Sequence, residues 1–254
     1  MLLILISIIV FCLVSFLIVY LIKGEENMLS VGNVSDNVVL EKTFELETIE
    51  EIEVIQDYGN ITFEENLEDT IRVVIYGKNT ENASASLNNK KLKIEDRTKN
   101  RFLFFNFGLA KSGITVYIPS TYANQIKIKV DCGDIKMNSL EKATLIAECD
   151  AGNIELENIK NANIKCNAGN IEAQEIFNKC EMELDAGNVK IEKLALQEPS
   201  KIDVDLGDVK IKETNDIYID AKTGLGDTKI NNNNRTSNVT LKIKVDCGNI
   251  KVEN

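Results

Sequence analysis

The sequence predicts an all-β protein, a single-stranded parallel β-solenoid that follows one N-terminal transmembrane helix. Three observations support this prediction. The first 22 residues are almost entirely apolar, the remainder alternates apolar and polar residues with the period of a β-strand, and a short glycine-centred motif recurs at nearly constant spacing.

Residues 2–22 form an uninterrupted apolar run without a charged residue. A helix rises about 1.5 Å per residue, so roughly 20 residues cross the hydrocarbon core of a membrane. The run lacks a basic preceding region and a small-residue cleavage site, which favours a signal anchor over the alternative of a cleaved signal peptide. We therefore expect an anchor over 1–22 and a polar linker over 23–37.

Residues 38–254 are expected to form the solenoid domain, with irregular coils over 38–125 and regular repeats over 126–254. Runs such as FELETIEEIEVI and IRVVIY alternate with period 2, as strands do. In the regular part, a glycine followed by Asn or Asp and then usually by Ile or Val recurs every 17 to 22 residues. Before this glycine the inward-facing residues are an odd number of positions away, and after it they are an even number away. The chain must therefore turn at the glycine, and each motif predicts one corner of one coil. The predicted corners are Gly59, Gly133, Gly152, Gly169, Gly187, Gly207, Gly226 and Gly248.

The residues four before the glycine alternate in charge over four successive repeats. They are Lys129, Glu148, Lys165 and Glu183. Parallel coils about 4.8 Å apart would place each of these charges beside an opposite one. A mixed solvated strand face would explain each residue singly but not the alternation, so the pattern favours a parallel stack.

An aspartate column lies two residues before the glycine, at Asp131, Asp150, Asp185, Asp205 and Asp246. We expect each carboxylate to accept hydrogen bonds from N–H groups of its own corner. The alternatives are Ca²⁺ held between coils and a carboxylate pair of a glycan-active enzyme, for which Asp150 and Asp185 are the residues to examine. No metal, cofactor or catalytic residue is predicted.

Composition limits the function classes. The chain has no His, which removes the commonest general base and every Ser-His or Cys-His nucleophile pair. Its formal net charge of −11 disfavours binding to nucleic acid. Five cysteines after the helix are expected to be small apolar core residues, of which only Cys149 and Cys166 could approach disulfide distance. The five are Cys132, Cys149, Cys166, Cys180 and Cys247.

Two segments are candidates for contacts with a partner. Arg101–Ala110 breaks the repeat with Phe102, Phe104, Phe105 and Phe107. These rings would either cap the stack or fill a wider rung, or else form an exposed loop that meets a partner or the membrane surface. The motif at Gly248 is expected to form the final rung. Its residues Cys247, Ile250 and Val252 would then offer a docking edge or a weak self-association surface, or simply fray.

The stretch VYIPSTYANQIKIKVDCGDI, followed by DAGNI, DAGNV and DLGDV, resembles the bacterial putative-adhesin family of β-strand repeats, which is related to head-GIN domains and similar to LiaG-like envelope proteins. The resemblance covers residues 38–254. It implies a single-stranded β-solenoid, usually membrane-anchored and outside the cytoplasmic membrane, without established catalysis. Only the repeat glycines and their Asn/Asp partners match, so no active site is transferred.

From these observations we expect a single-pass membrane protein whose solenoid is extracytoplasmic and acts as a non-catalytic interaction or scaffold module. Adhesion and envelope-stress sensing are the two roles considered. Expected partners are the cytoplasmic membrane, through the N-terminal helix, and an envelope or cell-surface protein, but not nucleic acid. A glycan-active lyase or hydrolase and a stalk without a specific ligand remain the alternatives.

Overall fold

The computed structural model describes residues 38–77, 82–97 and 112–253. These residues form one sheet of 19 strands, with a single 3₁₀ turn at Leu46–Thr48, so the prediction of an all-β fold is confirmed. None of the helices within the described residues is long and apolar enough to cross a membrane. The predicted anchor at 2–22, the linker at 23–37 and the Phe-rich segment lie outside these residues.

Seven strands precede the regular repeats. They are β1 (Val38–Glu45), β2 (Glu51–Tyr58), β3 (Asn60–Glu65), β4 (Thr70–Tyr76), β5 (Ser84–Asn88), β6 (Lys91–Asp96) and β7 (Gly113–Ile118). Twelve more strands form the repeats. They are β8 (Gln125–Cys132), β9 (Ile135–Met137), β10 (Leu140–Ala151), β11 (Ile154–Ala168), β12 (Ile171–Ala186), β13 (Val189–Leu194), β14 (Ser200–Leu206), β15 (Val209–Thr214), β16 (Tyr218–Leu225), β17 (Thr228–Ile230), β18 (Thr240–Cys247) and β19 (Ile250–Val252).

Each repeat glycine joins two strand segments, which together we call a rung. The segments before the glycines pair with one another to form one wall of the stack, and the segments after the glycines form a second wall. All pairings between successive rungs are parallel from Gly59 onwards. The early motif DYGNI is therefore a rung of the same stack and contacts the Gly133 rung directly.

The charge alternation places the rungs in the predicted register. Lys129 lies beside Glu148, Glu148 beside Lys165, and Lys165 beside Glu183. The Nζ–Oε2 distances are 3.5 Å for Lys129–Glu148 and 2.9 Å for Lys165–Glu183. These side chains are more than half exposed, so each pair contributes at most about 1 kcal/mol. Their effect is on the choice of register more than on the free energy of unfolding.

The order of the rungs departs from chain order at one place, and here the sequence-based order is wrong. Strand β18 lies between β14 and β16, and β19 lies between β15 and β17. The Gly248 rung is therefore inserted between the Gly207 and Gly226 rungs. The outer rung of the stack is the one that contains Gly226, formed by β16 and β17.

Inward side chains explain why the Gly226 rung is the outer one. Val245, Ile250 and Val252 are at most 1% exposed, as suits a rung with neighbours on both sides. The equivalent inward positions of the outer rung hold Thr223 and Thr228, which tolerate the water that reaches an end position. Residues 231–239 connect β17 to β18 and are long enough to return past one rung.

The opposite end of the stack is closed by antiparallel strands. On the wall before the corner, β6 pairs with β2 and β5 folds back on β6; on the other wall, β7 pairs with β3 and is followed by β4 and β1. The Nζ of Lys42 on β1 donates to the carbonyl oxygen of Ala85 on β5, at 2.8 Å. The two walls thus meet beyond the Gly59 rung.

The glycine column sets how closely the rungs approach. All eight repeat glycines have φ between +123° and +152°, a region that side-chain-bearing residues rarely adopt. In seven of them a Cβ atom would lie 1.7 to 2.0 Å from the carbonyl oxygen of the neighbouring rung's glycine. No larger residue fits at these corners unless the rungs separate.

Replacing one interior repeat glycine should therefore destabilise the stack strongly. In Gly169→Ala the new methyl group would lie 1.8 Å from the carbonyl oxygen of Gly152, at a φ of +149°. We expect the free energy of unfolding to fall by about 3 kcal/mol or more, measured by denaturant unfolding of the full chain. Ala168→Ser, at the exposed neighbouring position, is the control and should change it by less than about 0.5 kcal/mol. Equal stability of the two variants would contradict the close approach.

Candidate functional site: the corner strip

The repeat corners form one continuous edge of the stack. We define the corner strip as the four residues from two before to one after each repeat glycine. Outside the glycines themselves, most of these positions are exposed, in contrast to the positions three before and two after the glycine, which are buried on every rung except the Gly226 rung. The strip is therefore the line along which the two walls present side chains together.

A ladder of Asn and Asp side chains runs along the strip. The residue after each repeat glycine uses its Oδ1 atom to accept the backbone N–H of the equivalent residue on the next rung. Seven such bonds, of 2.7 to 3.0 Å, link eight rungs without interruption. In spatial order the residues are Asn60, Asp134, Asn153, Asn170, Asn188, Asp208, Asn249 and Asp227.

The ladder corrects the expected role of the aspartates two before the glycine. Those carboxylates were expected to accept the corner N–H groups, but the residue after the glycine does so and reaches across rungs. Asp150 instead accepts the side-chain amide of Asn167 at 3.2 Å, and Asp246 pairs with Lys244 at 2.7 Å. The sequence signal for the ladder is the Asn or Asp that follows every repeat glycine. By sequence alone this residue indicates only a turn.

The corner strip carries most of the net charge of the chain. It contains nine carboxylates and no lysine or arginine, whereas the whole chain has a formal net charge of −11. The remainder of the chain is therefore close to neutral, at −2. Outside the strip, 29 lysines and arginines nearly balance the 31 remaining aspartates and glutamates, and several of them form ion pairs on the walls, as in Lys190 with Glu172 and Lys193 with Glu175.

The residue before the glycine changes character at one end of the strip. It is alanine at 151, 168 and 186, but it becomes leucine at the Gly207 and Gly226 rungs. Leu206 is 56% exposed and Leu225 is 72% exposed. Cys247 lies between them, paired in register with both, and is also exposed. We call Leu206, Cys247 and Leu225 the terminal patch.

The position of Cys247 corrects two expectations. Cys247 and Cys132 are exposed rather than core residues, whereas Cys149, Cys166 and Cys180 are buried as expected, and all five are free thiols. Ile250 and Val252 are buried inside the stack, so they do not form an end surface. Among the three residues proposed at the last rung, the structure leaves only Cys247 exposed.

The outer edge of the Gly226 rung is partly blocked by a side chain. Asn233 accepts the backbone N–H of Ile219 at 2.8 Å and donates to its carbonyl oxygen at 2.9 Å. Its amide thus takes the place that a further strand would occupy at this residue. Within the described residues no strand pairs with the outer side of β16.

Two of the three buried thiols, those of Cys149 and Cys166, lie directly beneath the corner. Cys149 pairs in register with Cys166, and their Sγ atoms lie 3.7 to 3.9 Å from glycine carbonyl oxygens of the strip. Hydrogen bonding to Cys166 and burial raise the pKa of the Cys149 thiol. Burial raises the pKa of Cys180 to about 12. Cys149 and Cys180 are therefore protonated at neutral pH and packed as small core groups.

The structure does not assemble a metal centre from the predicted carboxylates. Within the described residues no group of three His, Cys, Asp or Glu side chains could hold a metal ion. Asp150 and Asp185, the pair considered for glycan chemistry, stand on rungs separated by the Asn167 rung. The Phe-rich segment, with Phe102, Phe104, Phe105 and Phe107, stays a prediction because it lies outside the described residues.

A family model described as Toastrack DUF4097 matches residues 49–254. The same chain has no match among curated proteins.

Two solved structures to which the chain is similar are a putative cell adhesion protein and a putative adhesin. The chain is similar to a putative cell adhesion protein from Clostridium sporogenes ATCC 15579, at 14% identity and a TM-score of 0.45, covering 85% of this chain and 99% of that one. It is also similar to a putative adhesin from Bacteroides fragilis NCTC 9343, at 14% identity and a TM-score of 0.40, covering 86% and 98%.

Removing one side chain of the ladder should weaken the stack measurably. Asn170→Ala deletes the Oδ1 that accepts from the backbone and side-chain N–H groups of Asn188, and the side-chain amide that donates to Asn153, while the backbone N–H of residue 170 is kept. We expect a loss of about 1–2 kcal/mol in the free energy of unfolding, and a smaller loss for Asn170→Asp, which keeps the acceptor. Asn232→Ala, in an exposed loop position, is the control. A loss no larger than that of the control would mean that the ladder does not stabilise the fold.

The exposed thiol of Cys132 should be distinguishable from the buried thiols by alkylation. Burial and the nearby carboxylates of Asp134 and Asp131 raise the pKa of Cys132. Less of it is thiolate at a given pH, so maleimide should label Cys132 more slowly in the folded chain than in the unfolded chain. The folded rate should rise as pH increases towards the raised pKa.

The measurement uses a Cys247→Ser variant and mass spectrometry of the labelled peptides. Cys149, Cys166 and Cys180 should stay unlabelled until the chain is unfolded, which makes them internal controls. Labelling of Cys132 that is equally fast in the folded and unfolded chains near neutral pH would contradict the assigned environment.

Proposed function

Because the chain belongs to the Toastrack DUF4097 family, we propose that it is a non-catalytic interaction module. In this proposal the stack is a single-stranded β-solenoid, residues 2–22 anchor it in the cytoplasmic membrane, and the solenoid lies outside, where it serves in adhesion or in envelope-stress sensing. Its partner is another envelope or cell-surface protein, which binds along the corner strip.

The observation that carries this proposal is the concentration of charge on one rigid edge. Nine of the carboxylates behind the net charge of −11 lie on the strip. The Asn/Asp ladder and the parallel pairings fix the positions of these carboxylates relative to one another. A surface that is both ordered in advance and charged with one sign favours fast and selective association with an oppositely charged partner.

Catalysis receives less support from the geometry. A shallow groove on the wall after the corner includes Glu155 and Glu172, but these carboxylates pair with Lys136 and Lys190 at 4.0 and 3.2 Å. Burial raises the pKa of Asp96, the change that a general acid requires, yet this side chain is only 6% exposed and faces the interior. Neither arrangement offers a glycan an accessible acid and base.

Protease treatment of intact protoplasts tests the location. We expect external protease to remove the stack while an anchored N-terminal fragment remains with the membrane, since residues 38–254 would face outward. A cytoplasmic protein of the same cells, followed in parallel, reports on leakage. Complete protection of the stack, with cleavage only after lysis, would contradict the proposed topology.

A further inference from the structure

The two leucines of the terminal patch lie outside the hydrophobic core and are mostly exposed. Five large apolar side chains are exposed among the described residues, and only Leu206 and Leu225 belong to one ladder. Alanine occupies the equivalent position on three other rungs, so the corner itself does not require leucine. Exposed, contiguous apolar side chains of this kind mark contact surfaces.

Carboxylates border the terminal patch on both sides along the chain. Asp205 and Asp246 precede its residues, and Asp208 and Asp227 follow the glycines of the same rungs. Asp246 pairs with Lys244, while Asp205, Asp208 and Asp227 form no ion pair within the described part of the chain. The nearby Lys210 and Lys251 pair with Glu253 instead. The patch is thus apolar at its centre and anionic at its rim.

We propose that the terminal patch binds a cationic amphipathic polypeptide segment, a proposal that rests on the proposed function. The apolar side chains of the segment pack on Leu206, Cys247 and Leu225. Its lysines or arginines lie beside Asp205, Asp208 and Asp227. The charges decide the occupant. A second copy docked patch to patch would bring two acidic strips together, and an anionic membrane would meet the same repulsion. A basic segment satisfies both the apolar centre and the charged rim.

The test measures binding of short synthetic peptides to the purified full chain by fluorescence anisotropy. One peptide alternates lysine with leucine, a second carries the same lysines with serine in place of leucine, and a third replaces lysine by glutamate. We expect the lysine–leucine peptide to bind at least about tenfold more tightly than either of the others. Equal affinity for the lysine–serine peptide would overturn the proposal, because it would show attraction by charge alone.

Substitutions taken from other rungs keep the fold while they change the patch. The double variant Leu206→Ala and Leu225→Ala introduces the residue found at Ala151 and Ala168. It should weaken binding of the lysine–leucine peptide by about tenfold or more. Leu67→Ala, at a leucine that is 94% exposed elsewhere on the surface, is the matched control and should leave the affinity unchanged. An effect of equal size in both variants would overturn the proposal.

The contribution of the carboxylates around the patch is tested in the same way, by substituting residues that occupy the same columns on other rungs. The triple variant Asp205→Asn, Asp208→Asn and Asp227→Asn removes three carboxylates around the patch, and asparagine already occupies these columns at Asn167 and Asn153. Its control is Asp131→Asn, Asp134→Asn and Asp150→Asn, at the other end of the strip. Only the first set should weaken binding about tenfold and reduce its dependence on salt. Equal effects would assign binding to the whole strip and overturn the terminal site.

The results of the peptide-binding experiments can be distinguished from the result that tests the proposed function. The peptide experiments use the purified chain and do not depend on where the stack lies in the cell, whereas the protoplast experiment does not depend on the patch. Concentration-dependent self-association of the full chain that the double leucine variant abolishes would overturn the proposal in favour of a second copy. A monomer at all concentrations is the expected result.

Discussion

The structure depends on one close approach, that of a glycine carbonyl oxygen to the α-carbon of the glycine on the next rung. At Gly187 and Gly207 a side chain would begin only 1.7 Å from this oxygen. The contact is possible because glycine has no Cβ and because its positive φ turns the chain sharply. Parallel pairing on both walls and the Asn/Asp ladder follow, since both require neighbouring corners to be superimposed with little offset.

The sequence predicts the repeat well because stacking places equivalent residues of successive rungs in the same environment, so each column has a consistent residue type. The eight corner glycines have positive φ, the inward columns are buried on every rung except the Gly226 rung, and the residues from Lys129 to Glu183 pair in the expected register. The order of the last two rungs could not be obtained from spacing, which says nothing about which neighbours pair. A signal was nevertheless present, since Thr223 and Thr228 occupy inward columns and suit a rung with one neighbour. The spacing of 22 between Gly226 and Gly248 was also the longest.

The candidate site is harder to predict from the sequence than the repeat, because the backbone geometry of the corner decides which side chains are exposed. Leu206 and Leu225 looked like ordinary apolar residues in a strand-rich chain, and only the corner geometry shows that their column faces solvent. The two cysteines of that column were misplaced in the core for the same reason. Parity along an ideal strand fails at a corner, where two successive residues, such as Asp150 and Ala151, are both exposed. A local change in backbone direction therefore decides which side chains are available to a partner.

The uneven distribution of charge gives the stack a direction as well as a sign. With nine carboxylates along one edge and the remainder of the chain near neutrality, the centre of charge is displaced from the centre of mass. A molecule built in this way experiences a torque in an electric field, not only a force. Close to an anionic surface, within about 10 Å at moderate salt, it would rotate until the edge faces away. The fold would thus orient its own contact edge before any partner arrives.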